Sequence, residues 1–189
     1  MFCNKCGQEL DSNNVCINPD CPSNKTYFNV SDTEMMSYIG YKNTAYYMDK
    51  WNRYKDNEKF TSWNWPAFFF TLVWFLYRKM YVYAAILFGF NFICSAVFSA
   101  LDLEGLANLI NLGVMVASAL LANQLYIKNN IKKINQLKKS IPNISSDTLE
   151  RTLQSNGGIT WVPVIIVSVL YFLFILIFAI FFTSLLGLL

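Results

Sequence analysis

Four cysteines near the start of the chain have the spacing of a metal site. Cys3 and Cys6 form a C-x2-C pair, and Cys16 and Cys21 form a looser C-x4-C pair nine residues downstream. Two such thiolate pairs supply the four ligands that tetrahedral Zn²⁺ prefers. Gly7 suits the tight turn that aims backbone amides at sulfur. Because about 20 residues are too few for an apolar core, the metal must supply the folding energy.

The same cysteines could also form disulfides, an iron–sulfur site or a catalytic zinc site. Two disulfides would require an oxidising compartment, whereas the distribution of basic residues places this end of the chain in the cytosol, where thiols stay reduced. An iron–sulfur site would use the same residues and stays open. A catalytic zinc keeps one coordination position free, whereas four cysteines close the site. The expected cofactor is therefore a structural Zn²⁺.

Groups suited to catalysis or to nucleic-acid binding are scarce. Histidine, the commonest general base, is absent. The formal net charge of +3 is too small to argue for nucleic acid. The fifth cysteine, Cys94, lies within an apolar run and is expected to be a packing residue. We expect no enzymatic activity, no catalytic residue and no identifiable small-molecule substrate.

Long apolar stretches without charge make up much of the remaining chain. The sequence is 54% hydrophobic and 14% charged, against about 25% charged in soluble domains. Three charge-free runs match or exceed the ~20 apolar residues that cross a bilayer as a helix. The predicted transmembrane helices are residues 81–101, 106–126 and 159–182.

An aromatic segment precedes the first predicted span. A helix from Pro66 to Tyr77 would be ~18 Å long, short of the ~30 Å hydrocarbon core. Tryptophan and tyrosine favour the headgroup level, and Arg78 and Lys79 hold the end in water. We interpret residues 61–80 as an interfacial or re-entrant helix, with a short fourth span as the alternative.

Local signals predict helices in the polar segments. Ser31 and Glu34 form a capping box, and Gly40 ends the helix that it opens. A second helix is expected at about residues 44–57. Its expected packing face consists of Tyr47, Trp51 and Tyr54.

The second span is expected to continue as an amphipathic stem, which Pro142 stops. The apolar face of this stem consists of Ile127, Ile131, Ile134 and Ile141. Asp147 and Glu150 are expected to cap one further short helix. Residues 155–158, which contain two glycines, predict a flexible turn into the last span.

Basic residues set the predicted orientation. Arg78 and Lys79 precede the first span, and the hairpin at 102–105 has none. Six more lie between the second and third spans: Lys128, Lys132, Lys133, Lys138, Lys139 and Arg151. The positive-inside rule then puts the N-terminus in the cytosol and the C-terminus outside. The expected location is the bacterial inner (cytoplasmic) membrane, as a multi-pass protein.

The predicted fold class is an all-α membrane protein with three transmembrane helices and an interfacial or re-entrant aromatic helix, preceded by a small zinc ribbon. The predicted segments are a zinc ribbon (1–23), a cytosolic helical linker (24–60), the aromatic helix (61–80), a transmembrane hairpin (81–126), a basic cytosolic helical segment (127–158) and the third transmembrane helix (159–189).

Polar residues occur within the first two spans. On the first they are Asn91, Ser95 and Ser99, and on the second they are Asn108, Asn111, Ser118 and Asn123. We interpret them as hydrogen-bonding groups between helices. A polar path for an ion or small solute is the alternative, although no ionisable residue lies at mid-membrane to support it.

The aromatic segment has a Trp-Asn-Trp-x-Ala-Phe-Phe-Phe run, then a tryptophan, and a Tyr-Arg-Lys-Met end. These residues are Trp63, Asn64, Trp65, Ala67, Phe68, Phe69, Phe70, Trp74, Tyr77, Arg78, Lys79 and Met80. The pattern resembles the hallmark of a bacterial membrane family known as DUF2628. Residues 39–42, 46–47, Asn123 and Tyr126 are also similar, so the resemblance covers about residues 35–135. The family often carries an N-terminal zinc ribbon and has no established biochemical function.

The chain departs from the family pattern at Thr71 and Leu72, where relatives tend to have a Gly-Pro-like pair. We therefore expect a less obvious kink in the aromatic helix. The sequence as a whole favours a membrane adaptor or scaffold that recruits a protein partner through the zinc ribbon. A homo-oligomeric transport or pore component is the alternative. The expected partners are membrane lipid and a protein, with no nucleic acid.

Overall fold

The structure is a computed structural model that describes residues 2–3, 6–11, 16–18, 21, 29–141 and 145–186. Helices dominate these residues, and the expected all-α class is confirmed. They are α1 (Asp32–Ile39), α2 (Thr44–Asp56), α3 (Trp65–Phe69), α4 (Thr71–Tyr77), α5 (Tyr81–Ala100), α6 (Glu104–Ser140), α7 (Ser146–Asn156) and α8 (Val162–Leu186).

The chain divides into two compact units. Unit 1 comprises Met1–Ser62 and Asn123–Gly158, and unit 2 comprises Trp63–Ala122 and Ile159–Leu189. Unit 1 thus contains α1, α2, α7 and the second half of α6. Unit 2 contains α3, α4, α5, α8 and the first half of α6.

In unit 1, α1 begins and ends where the sequence predicts. The hydroxyl of Ser31 accepts a hydrogen bond from the Glu34 amide at 3.1 Å, and the Glu34 carboxylate accepts one from the Ser31 amide at 2.7 Å. This reciprocal pair is the capping box. Gly40 ends the helix with φ of 74°, a left-handed conformation that favours glycine.

The aromatic face of α2 is a packing surface, as predicted. Tyr47, Trp51 and Tyr54 are all buried. The indole nitrogen of Trp51 donates a hydrogen bond to Asp32 at 2.6 Å, which joins α2 to the first turn of α1. The ring of Tyr47 lies edge-on to that of Tyr126 on α6, with centroids 4.7 Å apart.

The stem at the end of α6 packs through Ile127, Ile131 and Ile134, which are buried. Ile141 is exposed and follows the last helical residue, so its assignment to the buried face was wrong. The helix ends at Ser140, before Pro142, which lies outside the described residues.

The start of α7 differs from the prediction. Ser145 is the N-cap, and its hydroxyl accepts a hydrogen bond from the Thr148 amide at 3.3 Å. Asp147 instead lies in the first turn, where a carboxylate favours the positive end of the helix dipole. Two consecutive serines before the acid let the helix begin earlier than the Asp147–Glu150 pair suggested.

The predicted turn at residues 155–158 is shorter in the structure and closely packed, since only Gly157 and Gly158 form it. Ser155 and Asn156 belong to the last turn of α7. The amide of Gly158 donates a hydrogen bond to the Tyr38 carbonyl at 2.8 Å. A Cβ atom added to Gly157 would lie 2.0 Å from the same oxygen. Glycine is therefore needed here for a close approach between α7 and the end of α1.

In unit 2, the aromatic segment forms two short helices rather than one. The helix breaks at Phe70, whose φ of −122° and ψ of 40° are not helical. The hydroxyl of Thr71 donates to the Ala67 carbonyl at 3.1 Å and so provides a partner for the end of α3. The expectation of a less obvious kink was thus wrong, since Thr71 supports a break without the Gly-Pro-like pair.

Three helices of the described chain are long and apolar enough to cross a membrane: Tyr81–Ala100, Gly105–Ser140 and Val162–Phe181. The third begins after Trp161, a few residues later than predicted. The connection between α4 and α5 is a tight turn, in which Met80 donates to the Phe75 carbonyl at 2.8 Å and Lys79 adopts a left-handed φ of 57°. Such a turn satisfies carbonyls at the end of α4.

Candidate metal centre

The first cysteine pair lies on a tight turn closed by backbone hydrogen bonds. The amide of Gly7 donates to the Cys3 carbonyl at 2.9 Å, and the amide of Cys3 donates to the Gln8 carbonyl at 2.7 Å. Gly7 has a left-handed φ of 71°, which glycine adopts without strain. This turn brings the thiols of Cys3 and Cys6 to the same side of the loop.

Two isolated β-bridges organise the cluster. The bridge between Phe2 and Glu9 closes the loop of the first pair, and the bridge between Leu10 and Cys16 ties the second pair to it. The amide of Ile17 adds a hydrogen bond to the Glu9 carbonyl at 3.2 Å. The short antiparallel pairing therefore delivers Cys16 beside the first pair.

The four predicted ligands come together. The sulfur atoms of Cys3, Cys6, Cys16 and Cys21 all lie within 4.8 Å of one another. Cys3 and Cys21 are 3.6 Å apart, and Cys6 and Cys16 are 3.3 Å apart. A tetrahedral ion with bonds of about 2.3 Å to sulfur requires edges of about 3.8 Å. The four cysteines thus have the geometry to hold one metal ion.

Burial shapes the electrostatics of this cluster. Cys3, Cys16 and Cys21 are buried, and Cys6 and Leu10 pack against them. Burial raises the pKa of the Cys16 thiol to about 12, because a thiolate loses hydration in this setting. A bound cation would reverse that preference, since a coordinated thiol is deprotonated. The donor set therefore fits a thiophilic metal, and its four sulfurs would fill a tetrahedral site.

Two exposed apolar side chains beside the cluster were not foreseen from the sequence. Phe2 is 69% exposed and Ile17 is 57% exposed. Phe2 directly precedes Cys3, and Ile17 directly follows Cys16. The sequence could have indicated this exposure, because so small a module has no apolar core in which a residue next to a ligand could be buried.

The other candidate residues lie elsewhere. Cys94 is half-buried on α5, among the apolar residues of that helix. Asn123 is buried in unit 1, and its side-chain amide donates to the hydroxyls of Tyr46 and Ser62, both at 2.8 Å. Ser118 is also buried, and Asn91 is half-buried. Among the polar residues singled out in the first two spans, Ser95, Ser99, Asn108 and Asn111 are exposed.

A comparison with protein families assigns the segment that follows the metal centre. The family described as a protein of unknown function, DUF2628, matches residues 29–131. The match runs from just before α1 into the stem of α6 and leaves out the four cysteines. Neither the curated proteins nor the solved structures gave a match. Because the family match covers more than half of the chain, the protein belongs to the DUF2628 family.

Proposed function

We propose that this protein is a membrane-anchored adaptor or scaffold that recruits a protein partner through a structural zinc ribbon. The observation that carries the proposal is the exposure of Phe2 and Ile17 beside the four-cysteine cluster. Exposed apolar side chains on a small rigid module are a common basis of protein recognition. A metal that fixes the backbone on both sides of these residues would preorganise them for a partner.

Zinc is the proposed metal. Four thiolates in a tetrahedral arrangement are typical of structural zinc sites, and the sulfur distances support this geometry. With every coordination position taken by the protein, the ion would stabilise the ribbon and activate no water. We accordingly propose a structural and not a catalytic role for this ion.

The membrane placement rests on the three apolar helices α5, α6 and α8. Most of their apolar side chains are exposed within the chain, as expected where lipid is the solvent. By the positive-inside rule, the basic residues of the α6 stem favour a cytosolic position for unit 1 and the cysteine cluster, with the hairpin at 102–105 and the C-terminus outside. The proposed location is the bacterial inner membrane.

The aromatic segment would fix unit 2 at the membrane surface. Trp63, Trp65 and Phe69 are exposed, and the rings of Trp65 and Phe69 stack with centroids 5.8 Å apart. Two helices of 5 and 7 residues are too short to span a bilayer separately. Exposed tryptophan favours the headgroup level, which supports an interfacial position.

Affinity purification in mild detergent, with mass spectrometry and metal analysis, tests the adaptor role. Three forms are compared: wild type, Cys3→Ser/Cys6→Ser, and Phe2→Ser/Ile17→Ser. The cysteine variant should lose both zinc and partner. The apolar variant should keep zinc and lose the partner. A matched control, Tyr81→Ser/Val82→Ser, changes two exposed residues of unit 2 and should keep both.

The outcomes separate the parts of this proposal. A protein captured equally by all variants would contradict recruitment through the ribbon. A purified wild type without stoichiometric zinc, or with iron and sulfide instead, would contradict the assignment of the metal. Loss of the partner in the cysteine variant alone would place the recognition surface elsewhere on the folded ribbon.

A homo-oligomeric transport or pore component is a second candidate. The exposure of Asn108 and Asn111 on a helix that could cross a membrane favours it, because amides in lipid seek partners on other helices. Asn111→Leu should then reduce the oligomer mass in detergent and alter solute flux in vesicles while zinc stays bound. Leu112→Ala, at the neighbouring exposed position, is the control.

A further inference from the structure

The turn between α1 and α2 presents an exposed aromatic residue. Tyr41 is 86% exposed, more than any other large apolar side chain of the described residues. Lys42 beside it is also exposed. The turn is bounded by two left-handed residues, Gly40 with φ of 74° and Asn43 with φ of 60°. It therefore has a defined backbone that holds Tyr41 away from the core of unit 1.

One side of this turn contacts the segment that leads to α8. The Gly158 amide donates to the Tyr38 carbonyl at 2.8 Å, and a Cβ atom added to Gly40 would lie 3.2 Å from the Cα of Gly158. The apolar helix α8 begins at Val162, four residues after Gly158. Even a fully extended chain covers at most about 14 Å over four residues.

The first turn of α2, which follows this turn in the chain, contacts the two remaining connections between the units. Tyr46, in the first turn of α2, has its hydroxyl 2.8 Å from the side-chain amide of Asn123. The same amide donates to the hydroxyl of Ser62 at 2.8 Å. Ser62 and Asn123 are the last and first residues of unit 1 at these two connections. The charge-free run of α6 extends to Ile127.

All three connections to the apolar helices thus leave unit 1 beside this turn or beside the first turn of α2 that follows it. A surface that lies next to every such connection must face the membrane if the apolar helices cross it. The residues presented there are a tyrosine and a lysine, the types that favour the interface and its anionic headgroups.

We propose that the turn Gly40–Asn43 lies in the lipid headgroup layer, with the Tyr41 ring inserted among the headgroups and Lys42 bound to anionic phosphate. This inference rests on the proposed membrane placement of α5, α6 and α8. Its ligand is phospholipid, and its role is to hold unit 1 against the membrane independently of the cysteine cluster. Three connections and one inserted turn would fix the orientation of the whole unit at the surface.

Photo-crosslinking of the full-length protein in its native membrane tests the inference. The photoreactive residue p-benzoylphenylalanine replaces one residue at a time: Tyr41→p-benzoylphenylalanine for the turn, Asn52→p-benzoylphenylalanine for an exposed position of α2, and Phe90→p-benzoylphenylalanine for an exposed position of α5. Mass spectrometry then identifies the adducts. We expect lipid adducts at positions 41 and 90 and none at position 52.

Each other outcome contradicts a distinct statement. Lipid at position 90 but not at 41 overturns the inference and leaves the membrane placement intact. Lipid at neither position overturns the membrane placement and the inference with it. A protein adduct at 41, whether from another protein or a second copy, shows that the turn is a docking site for protein. Equal lipid labelling at positions 41 and 52 would show that the turn contacts lipid no more than α2 does, and would overturn the inference.

The role of Lys42 is tested with the Tyr41 photoprobe in vesicles of defined composition. The yield of lipid adduct should be higher with phosphatidylglycerol than with phosphatidylcholine. Lys42→Gln should abolish this difference, whereas Arg53→Gln, at an exposed position of α2, should preserve it. Equal yields from the two lipids with Lys42 present would contradict phosphate binding, and a difference that persists in Lys42→Gln would assign it to other residues.

Discussion

Helices α2 and α8 use their apolar residues in opposite ways. Most positions of α2 are polar or charged, yet three of its four aromatic residues, Tyr47, Trp51 and Tyr54, are buried by contacts within unit 1. Charged residues are absent from α8, yet almost all its described apolar side chains are exposed. The apolar residues of α2 thus pack in a core formed by the chain itself, whereas those of α8 do not. An exposed apolar surface of this extent is expected to be covered by lipid.

The largest expected difference between the two helices comes from removing one aromatic ring from each. Trp51 is fully buried, so Trp51→Ala should destabilise unit 1 by about 3–5 kcal/mol. Phe174 is exposed on α8, so Phe174→Ala should change stability by no more than about 0.5 kcal/mol. Hydrogen exchange in detergent measures both variants, over residues 31–62 for Trp51→Ala and over the residues of α8 for Phe174→Ala.

Fluorescence of the wild-type and variant proteins during thermal unfolding provides an independent check. If Trp51→Ala were as stable as the wild type, the assignment of the aromatic face of α2 to the core of unit 1 would be wrong. A large loss of stability in Phe174→Ala would mean that α8 is covered by protein, such as a second copy, and not by lipid. Phe174→Leu, which keeps an apolar side chain, is the matched control for the second variant.

A second prediction concerns two glycines, one in each unit. At Gly157 a Cβ atom would lie 2.0 Å from the Tyr38 carbonyl oxygen, whereas at Gly113 on α6 none of the described atoms lies within 4 Å. Gly157→Ala should therefore separate α7 from α1 and cost at least about 1–3 kcal/mol. Gly113→Ala should be neutral or slightly stabilising, since alanine favours the helix.

Limited proteolysis near residues 155–158 reports on this contact. Faster cleavage of Gly157→Ala than of wild type is expected, with no change for Gly113→Ala. If the two variants were cleaved alike, the close packing of α7 on α1 would be wrong, and the sequence-based interpretation of a flexible turn would be restored.

Local patterns in the sequence were sufficient to predict several features. The capping box at Ser31, the end of α1 at Gly40 and the aromatic face around Trp51 depend on residues within two turns of one helix. The cysteine spacing likewise predicted the cluster, because few geometries bring two such pairs together. In each case the information lies within about 20 consecutive residues.

Features that depend on distant contacts could not be predicted in this way. Ser37 on α1 donates a hydrogen bond to Glu150 on α7 across 113 residues of sequence, and the close approach at Gly157 belongs to the same interface. The break at Phe70 was missed because the hydroxyl that supports it belongs to Thr71, a residue common within helices. Lys79 and Asp102 adopt left-handed conformations where glycine is usual, so their turns lacked the expected signal.

A third prediction concerns a buried polar residue in the apolar face of the stem. Asn130 is buried beside Ile127 and Ile131, and neither its side-chain oxygen nor its nitrogen has a hydrogen-bond partner within the described residues. Leucine has the same branched outline without the desolvated amide. Asn130→Leu should therefore stabilise unit 1 by about 1 kcal/mol, measured as a higher midpoint of thermal unfolding.

Loss of stability in Asn130→Leu would show that this amide is satisfied in the native protein, for instance by a bound water. Ile134→Leu, at a buried position one turn further along the same face, controls for the change of shape. A gain of stability in the Asn130 variant alone would show that an apolar side chain is preferred at this point of unit 1, as it is around Trp51.

The smallest expected effect is electrostatic and confined to unit 1. The hydrogen bond from Lys55 at 2.9 Å, together with that from the Trp51 indole, lowers the pKa of Asp32 below its ordinary value of 3.8. A carboxyl group with a lowered pKa stabilises the folded state above its unfolded pKa, and this contribution is lost as the pH falls through its folded pKa. The effect should be small, because the ion pair is largely exposed and screened by salt.

Asp32→Asn keeps an acceptor for Trp51 and removes the charge. We expect its stability to fall less steeply than that of wild type as the pH drops below about 4, where the unfolded carboxylate takes up its proton. Thermal unfolding followed by tryptophan fluorescence between pH 3 and pH 6 measures the two slopes. Parallel slopes would mean that Lys55 and Trp51 do not perturb Asp32. Asp147→Asn removes an exposed acid of α7. If it changed the slope relative to wild type as much as Asp32→Asn does, the effect would come from net charge and not from this contact.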